Sequence, residues 1–312
     1  MATKIISYQN CLGLNTRKHT EDIKSPDAPK PYPANFESLA YEVDTALNIE
    51  IDAANMPNRR EGYVAIDAVD THSLWANHER SEAYCIRGSW LCSIDTSFNV
   101  TPLHFVGPER MMFQEVPGAI YATNGTQLLT IVDGVVTNLP SVSQDFKAQM
   151  VAGQCISFFR GRLYVAKDDV LWFSDAFRFF KRDMRFNFKP FSGFVDMVAY
   201  TVDGLYVSAG GITYFLTGDN PHKFDLRPIA GYGAIYGSLT YVNGSQIKDG
   251  LYNGEVPVWA STEGLCFGYP AGKMVNMTSD KFIMASGSYG ASLARPRLDT
   301  GDGYTQFITT IR

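Results

Sequence analysis

No apolar run in this chain approaches the roughly 18–20 residues that a bilayer-spanning helix needs. The opening residues 1–10, MATKIISYQN, have no apolar stretch of the kind a secretory signal carries. The expectation is a chain made and folded in a cytosol, with no membrane contact. Charge is also scarce. Asp, Glu, Lys and Arg make up 19% of the residues and the net charge is −5, which excludes a globally basic nucleic-acid binder and leaves only a local basic patch. Cysteine is sparse and badly spaced for cross-linking or metal. Cys11, Cys85, Cys92, Cys155 and Cys266 contain no CxxC pair, and Cys85 and Cys92 lie seven apart. An odd count argues against a disulfide framework, so buried free thiols are expected.

Catalytic signatures are missing as well. There is no GxSxG elbow, no HExxH and no Walker loop. Residues 231–237, GYGAIYG, are one residue too long for the dinucleotide fingerprint and read as a glycine-rich bend between repeated units. His72 and His78 would need Asp70 or Glu79 to hold a metal, and a polar loop is the simpler reading. Residues 299–303, DTGDG, lack the further acid and closing Glu of a calcium loop and read as a hairpin turn. The Asn-x-Ser/Thr sequons at Asn99, Asn124, Asn243 and Asn276 are expected as turns. No catalytic residue, cofactor or metal is expected.

What is present points to strands. Of 312 residues, 45% are hydrophobic and 13% aromatic, with 27 Gly and 15 Pro, a balance that favours short strands and turns over a helical bundle. Pro26, Pro29, Pro31 and Pro33 make residues 1–40 an extended arm, lying across its own domain or docking on a neighbour. Residues 36–43, FESLAYEV, favour a short helical turn. From Asn48 the period becomes two, with Ile49, Ile51, Tyr63, Val64 and Ile66 as strand residues.

Asn-Gly recurs at Asn124, Asn243 and Asn253, and Asp-Gly at Asp133, Asp203, Asp249 and Asp302. Both dipeptides suit hairpin turns. Similar hairpins begin at Gly88, Gly125, Gly161 and Gly204, 37, 36 and 43 residues apart, and a last one is VPVWASTEGLCF at 256–267. A period of about 40–50 residues with short strands marks β-propeller blades. The expected architecture is all-β, a propeller of about five to seven short blades over residues 41–312 behind the arm. A β-sandwich is the alternative.

One segment is unusual. Residues 177–191, FRFFKRDMRFNFKPF, interleave phenylalanines with five cations against the single acid Asp183. Phe177, Arg178, Phe180, Arg182, Arg185, Phe186, Phe188 and Phe191 are the candidate assembly interface. Aromatic and Arg residues are enriched at protein interfaces, and they also stack on bases. A crossover with buried rings and a solvated basic edge is the third reading. A propeller rim that binds glycan would use Trp75, Trp90, Trp172 or Trp259. A glycan-cleaving enzyme would need two close carboxylates, for which Asp168, Asp169, Asp175 and Asp183 are available.

These segments together resemble the β-propeller-like virion proteins of tailed bacteriophages, found in tail hubs, nozzles and baseplates. The likeness is carried by LGLN at 12–15, ALNIEID at 46–52 and RREGY at 59–63. It is carried also by FRGRLYVAKDDVLWFSD at 159–175, DGLYV at 203–207 and TYFLTGDNP at 213–221. It covers most of residues 10–280. The resemblance implies a structural role in the virion tail or head-to-tail region, with copies in a ring or cluster joined to other virion tail proteins. It also implies a passing contact with phage DNA, or a host surface bound at the tail tip. The family shares no catalytic residues, so none is carried over.

Overall fold

The computed structural model describes residues 69–279 except 78, 80 and 248–251, and short strands outside that range. Contacts divide the chain into two units. One comprises Met1–Ala65, Glu263–Leu265 and Asn276–Ala285, and the other the remainder. In the first unit, β1 (Cys11–Leu14) pairs in parallel with β2 (Tyr41–Val43), and β3 (Ile49–Ile51) pairs antiparallel with β4 (Pro57–Arg59). The expected arm, residues 1–40, otherwise lies outside the described residues, as do Tyr63, Val64, Ile66 and residues 299–303. The expected helical turn at 36–43 is overturned at its end. Tyr41–Val43 is extended, because pairing to Cys11–Leu14 outweighs a weak local preference.

The fold is a five-bladed β-propeller arrangement, and the described residues supply five four-stranded antiparallel sheets. The first holds β5 (Thr71–Ala76), β6 (Ala83–Arg87), β7 (Trp90–Ile94) and β8 (Val100–Phe105). The second holds β9 (Met112–Val116), β10 (Ala119–Thr123), β11 (Leu128–Val132) and β12 (Val135–Asn138). After β13 (Lys147–Gln149), the third holds β14 (Cys155–Phe159), β15 (Arg162–Lys167), β16 (Val170–Phe173) and, beyond β17 (Lys181–Asp183), β18 (Phe188–Pro190). The fourth holds β19 (Val195–Tyr200), β20 (Gly204–Ala209), β21 (Ile212–Thr217) and β22 (Asp225–Ala230). The fifth holds β23 (Thr240–Asn243), β24 (Glu255–Ser261), β25 (Gly264–Gly268) and β26 (Met274–Asn276), and β27 (Gly290–Pro296) pairs with β28 (Thr305–Ile311). Among the described residues no helix is long and apolar enough to cross a membrane.

The first strands start at Thr71, Met112, Cys155, Val195 and Thr240, at intervals of 41, 43, 40 and 45 residues. The repeat is real, but the glycine starts fall out of phase with it. Gly88 and Gly125 precede third strands, whereas Gly161 and Gly204 open second strands. The glycines track hairpin turns, which occur at several points of each blade. Asp133-Gly134 and Gly210-Gly211 make such turns with both residues at positive φ, 49° and 75° in one, 57° and 79° in the other.

Burial follows strand position. The second strands β6, β10, β15, β20 and β24 are mostly buried, and the fourth strands β8, β12, β18, β22 and β26 hold no buried residue. A second strand lies between two neighbouring blades, so both of its faces must be apolar. Alternation then divides its side chains. In β15, Leu163 and Val165 join Val116, Tyr121 and Leu128 of the second blade. Tyr164 and Ala166 join Val195, Val198 and Leu205 of the fourth. In β20, Leu205 and Val207 face the third blade, while Tyr206 packs with Phe215, Trp259 and Cys266 toward the fifth.

Polar groups stitch the same boundaries. Asn124 Nδ2 donates to the Val106 carbonyl at 2.8 Å, and Thr123 Oγ1 exchanges bonds with the Gly153 backbone at 2.8 and 3.0 Å. Gln154 Nε2 donates to the Val195 carbonyl at 3.2 Å, and the Ala234 amide donates to Ser208 Oγ at 2.8 Å. Each bond satisfies a backbone group that blade packing would otherwise bury unpaired.

Leu163 and Tyr164 are adjacent in sequence yet serve different blade boundaries. Leu163→Ala is expected to cost about 2–5 kcal/mol and Tyr164→Ala about 3–5 kcal/mol. The double variant should be additive within about 0.5 kcal/mol, because the two side chains share no packing partner. Urea unfolding checks this, and a large coupling would mean that both side chains fill one core.

Candidate interaction surface

The unusual segment is an insertion between the third and fourth strands of the third blade, residues 174–187. Its geometry starts at Ser174, which is buried and exchanges bonds with Leu163 through its amide and Oγ, both at 2.9 Å. The Phe177 amide donates to the Gly161 carbonyl at 2.7 Å and holds Phe177 at φ 53°. The ring lies against Gly161, which sits at φ 71°, a conformation that favours glycine at that turn. β17 then pairs with β13, Lys147 opposite Asp183 and Ala148 opposite Arg182. The Met150 amide donates to the Phe180 carbonyl at 2.8 Å.

An ion network fixes this insert. Lys147 Nζ reaches Asp175 Oδ2 at 2.8 Å and Asp183 Oδ2 at 3.5 Å. Arg185 Nη2 bonds Asp183 Oδ2 at 3.0 Å, and the buried Asn187 donates to Asp175 Oδ1 at 3.0 Å. Hydrogen bonds from Arg185, with its charge and that of Lys147, hold the Asp183 carboxyl well below the usual carboxylate range. The Arg185 guanidinium lies over the Phe146 ring at 4.2 Å and the Phe186 ring at 5.0 Å.

The eight expected residues divide. Phe177, Arg178, Arg185, Phe186 and Phe188 are exposed, Phe177 at 78% and Phe186 at 59%. Phe180, Arg182 and Phe191 are half-buried. Phe191 packs on the core between the third and fourth blades, its ring 5.6 Å from Tyr214. The structure brings Arg185 and Phe186 together with Phe146 and Met184, both exposed, and the Met184 amide donates to the Phe146 carbonyl. Sequence reading missed Phe146. It lies some thirty residues before the patch in the linear order, and only β13–β17 pairing shows the contact. Lys147, Asp175, Ala176, Phe186, Asn187 and His222 line an open cleft of about 550 Å³ beside the insert.

The other candidates fall elsewhere. Trp259 is fully buried, Trp75 stacks with Tyr84 and Phe113, and Trp172 lies under Arg182. Trp90 is 46% exposed, edge-on to Phe105 at 5.7 Å. Asp168 and Asp169 sit in the β15–β16 turn, whereas Asp175 and Asp183 share Lys147. A carboxyl held ionised by Arg185 is a poor proton donor at neutral pH. Residues 231–237 connect the fourth and fifth blades, as expected. Cys85, Cys92, Cys155 and Cys266 are buried free thiols, and the seven-residue spacing places Cys85 directly opposite Cys92 across β6 and β7. His72 Nδ1 is 2.9 Å from Ser73 Oγ, His78 lies outside the described residues, and among the described residues no cluster of metal-ligating side chains forms.

Asp196, on the first strand β19, escaped sequence reading. Burial pushes its carboxyl up to about 6, and its charge acts on Cys155 and Tyr236.

No protein-family model matches the chain, and no curated protein does either. Among solved structures it is similar to a gluconolactonase, XC5397 of Xanthomonas campestris, at 9% identity and TM-score 0.47, covering 78% of this chain and 87% of that one. It is similar also to an auxiliary nutrient binding protein of Bacteroides thetaiotaomicron, at 10% identity and TM-score 0.44, over 65% of this chain and 55% of that one. A third is a chain of the S. cerevisiae structure of dbp5 bound to nup159 and gle1, at 10% identity and TM-score 0.45, over 69% of this chain and 64% of that one. The chain thus spans less than two thirds of the length of the last two. At these identities the likeness is one of fold.

Two pH dependences follow, with opposite signs. The lowered Asp183 gives stability that is present above its ordinary value and lost as pH falls. Asp183→Asn should expose the insert to trypsin at neutral pH, with cleavage mapping to Arg178, Lys181 or Arg185. Equal resistance to the wild type would remove the network from the account. The raised Asp196 binds its proton more tightly in the folded state, so stability falls as pH rises from about 4 to 6. Asp196→Asn should stabilise the protein at pH 7–8 and give no advantage below about pH 4, as read by denaturant midpoints.

Proposed function

We propose that this chain is an assembly scaffold without catalytic activity, a rigid propeller whose third-blade insert docks a neighbouring protein. One observation carries the reading. Phe177, Met184 and Phe186 on the insert, with Phe146 and Phe188 flanking it, expose between 40% and 78% of their surface. That insert is anchored by a β-pair and an ion network, so its apolar surface is held out of the core. Exposed aromatic rings set against an Arg, as Phe146 and Phe186 are against Arg185, are the make-up of a protein-docking patch. The resemblance to virion proteins of tailed bacteriophages supplies the setting: the tail or head-to-tail region, with other virion tail proteins as partners. Copies in a closed ring would gain contacts that one copy lacks.

A second reading has one observation behind it. The exposed Trp90–Phe105 pair fits an aromatic platform for a sugar ring, as in a glycan-binding propeller at the tail tip. The gluconolactonase similarity concerns that protein's own activity, and the two carboxylates that line the cleft, Asp175 and Asp183, are both engaged by Lys147.

Mass spectrometry of purified particles should find the chain at a small fixed ratio to the major capsid protein. Arg178→Glu with Phe186→Ala should fold normally and be lost from particles. Accumulation of the wild type in infected cells with none in particles overturns the scaffold reading. Loss of glycan binding in Trp90→Ala with normal incorporation would establish the second.

A further inference from the structure

Asp196 stands apart from its neighbours on the first strand of the fourth blade. Val195 pairs with Ala209 and Met197 with Ser208, so Asp196 is the extra residue of a β-bulge, a device that re-aims a side chain. Val195 packs toward the third blade and Met197 toward the fifth, and Asp196 joins neither core. First strands line the central channel of a propeller, and β9, β14 and β19 neighbour one another there. The carboxyl group is half-buried, and among the described residues nothing donates a hydrogen bond to it. Its oxygens are not among the unpaired atoms closed to solvent, so an incoming donor can reach them. The donors nearby are committed elsewhere. Cys155 Sγ donates to the Val195 carbonyl at 3.7 Å, and Gln154 Nε2 to the Asp168 and Val195 carbonyls at 3.0 and 3.2 Å. The Tyr236 hydroxyl donates to the Gln154 carbonyl at 3.3 Å. An aromatic corner completes the group. Phe194, 48% exposed, meets the Tyr236 ring edge-on at 6.4 Å.

We propose that Asp196, with Phe194 and Tyr236 beside it, is a binding site for an alkylammonium group, carried by a free amine or by a lysine side chain of a partner. The site is separate from the docking insert and does not depend on it. Charge favours a cation there. Asp196 and Glu109 both act on Tyr236, and the opposing Arg110 guanidinium is spent over the Tyr236 ring, 5.8 Å from its centre. An ammonium brings three donors to a carboxylate that has none, and its charge and aliphatic stem suit aromatic neighbours. A divalent metal fits less well. It needs six or more oxygen ligands, whereas this carboxylate stands among rings and no cluster of metal-ligating side chains forms among the described residues.

The test uses the full chain and fluorescein-labelled cadaverine, which keeps one free ammonium, at about pH 8 where the carboxyl is ionised. Fluorescence anisotropy should show binding that n-butylammonium and the peptide acetyl-Gly-Lys-Gly-amide displace. At constant ionic strength, n-butanol and magnesium chloride should not displace it. Displacement by the peptide at about tenfold lower concentration than n-butylammonium assigns the site to a protein lysine, and equal or weaker displacement assigns it to a free amine. Asp196→Asn should weaken binding about tenfold or more. That variant gains stability at this pH, so its loss of binding is not a loss of fold. Phe194→Ala should weaken binding about threefold. Arg178→Glu with Phe186→Ala should bind as the wild type does, because the insert takes no part. Absence of cadaverine binding, wild-type binding in Asp196→Asn, displacement by butanol or magnesium as effective as by n-butylammonium, or loss of binding in the insert variant each overturns the proposal.

Discussion

Each blade of this protein is apolar on both faces and cannot bury them alone. That constraint governs the rest of the structure. The second strands are the clearest expression of it. All six residues of β20 are buried, and Tyr206 and Val207, side by side in sequence, belong to different blade boundaries. Stability is therefore a property of contiguous pairs of blades, and each second strand contributes alternate side chains to two boundaries. The buried bonds from Asn124, Thr123, Gln154 and Ser208 lie at these same boundaries and fix the relative setting of neighbouring blades. A hydrophobic face gives attraction without direction, and hydrogen bonds with fixed geometry supply the direction.

A rigid frame lets one segment carry unusual chemistry. The insert in the third blade exposes rings that a free loop would fold inward. Lys147 prevents this by bridging Asp175 and Asp183, so the backbone leading to Phe186 is held. Ion pairs on a surface contribute little stability one at a time, and a network whose members also bond Asn187 and the Arg185 backbone amide is worth more in positioning than in energy. Arg185 stacks between Phe146 and Phe186 because Asp183 has already oriented its guanidinium. Ion pairing and aromatic packing are here one arrangement.

The same insert shows a tension between stability and recognition. Arg182 lies over Trp172 with donors unmet, and Phe188 stays at the surface although an apolar core is close by. Neither feature helps the isolated chain. Asp196, whose charged form burial penalises, belongs to the same class of retained expense, on the first strand of the next blade, soon after the insert. Departures from local consistency of this kind concentrate where a protein meets something else.

Hairpin spacing, apolar strands of period two and the scarcity of charge by themselves pointed to an all-β chain, a propeller of about five to seven blades with a repeat of about 40–50 residues, with a β-sandwich as the alternative. The same evidence marked residues 177–191 as a cationic and aromatic segment. These properties are local, since strand period and turn chemistry depend on a few neighbouring residues. Tertiary structure alone decided the blade phase, because a glycine turn looks alike between any two strands of a blade. It alone made Tyr41–Val43 a strand, through a partner some thirty residues away. It alone placed Phe146 beside Arg185, Cys85 opposite Cys92, Trp259 inside and Trp90 outside. Burial, pairing and charge shift depend on which distant segments meet, and a linear pattern does not contain that information.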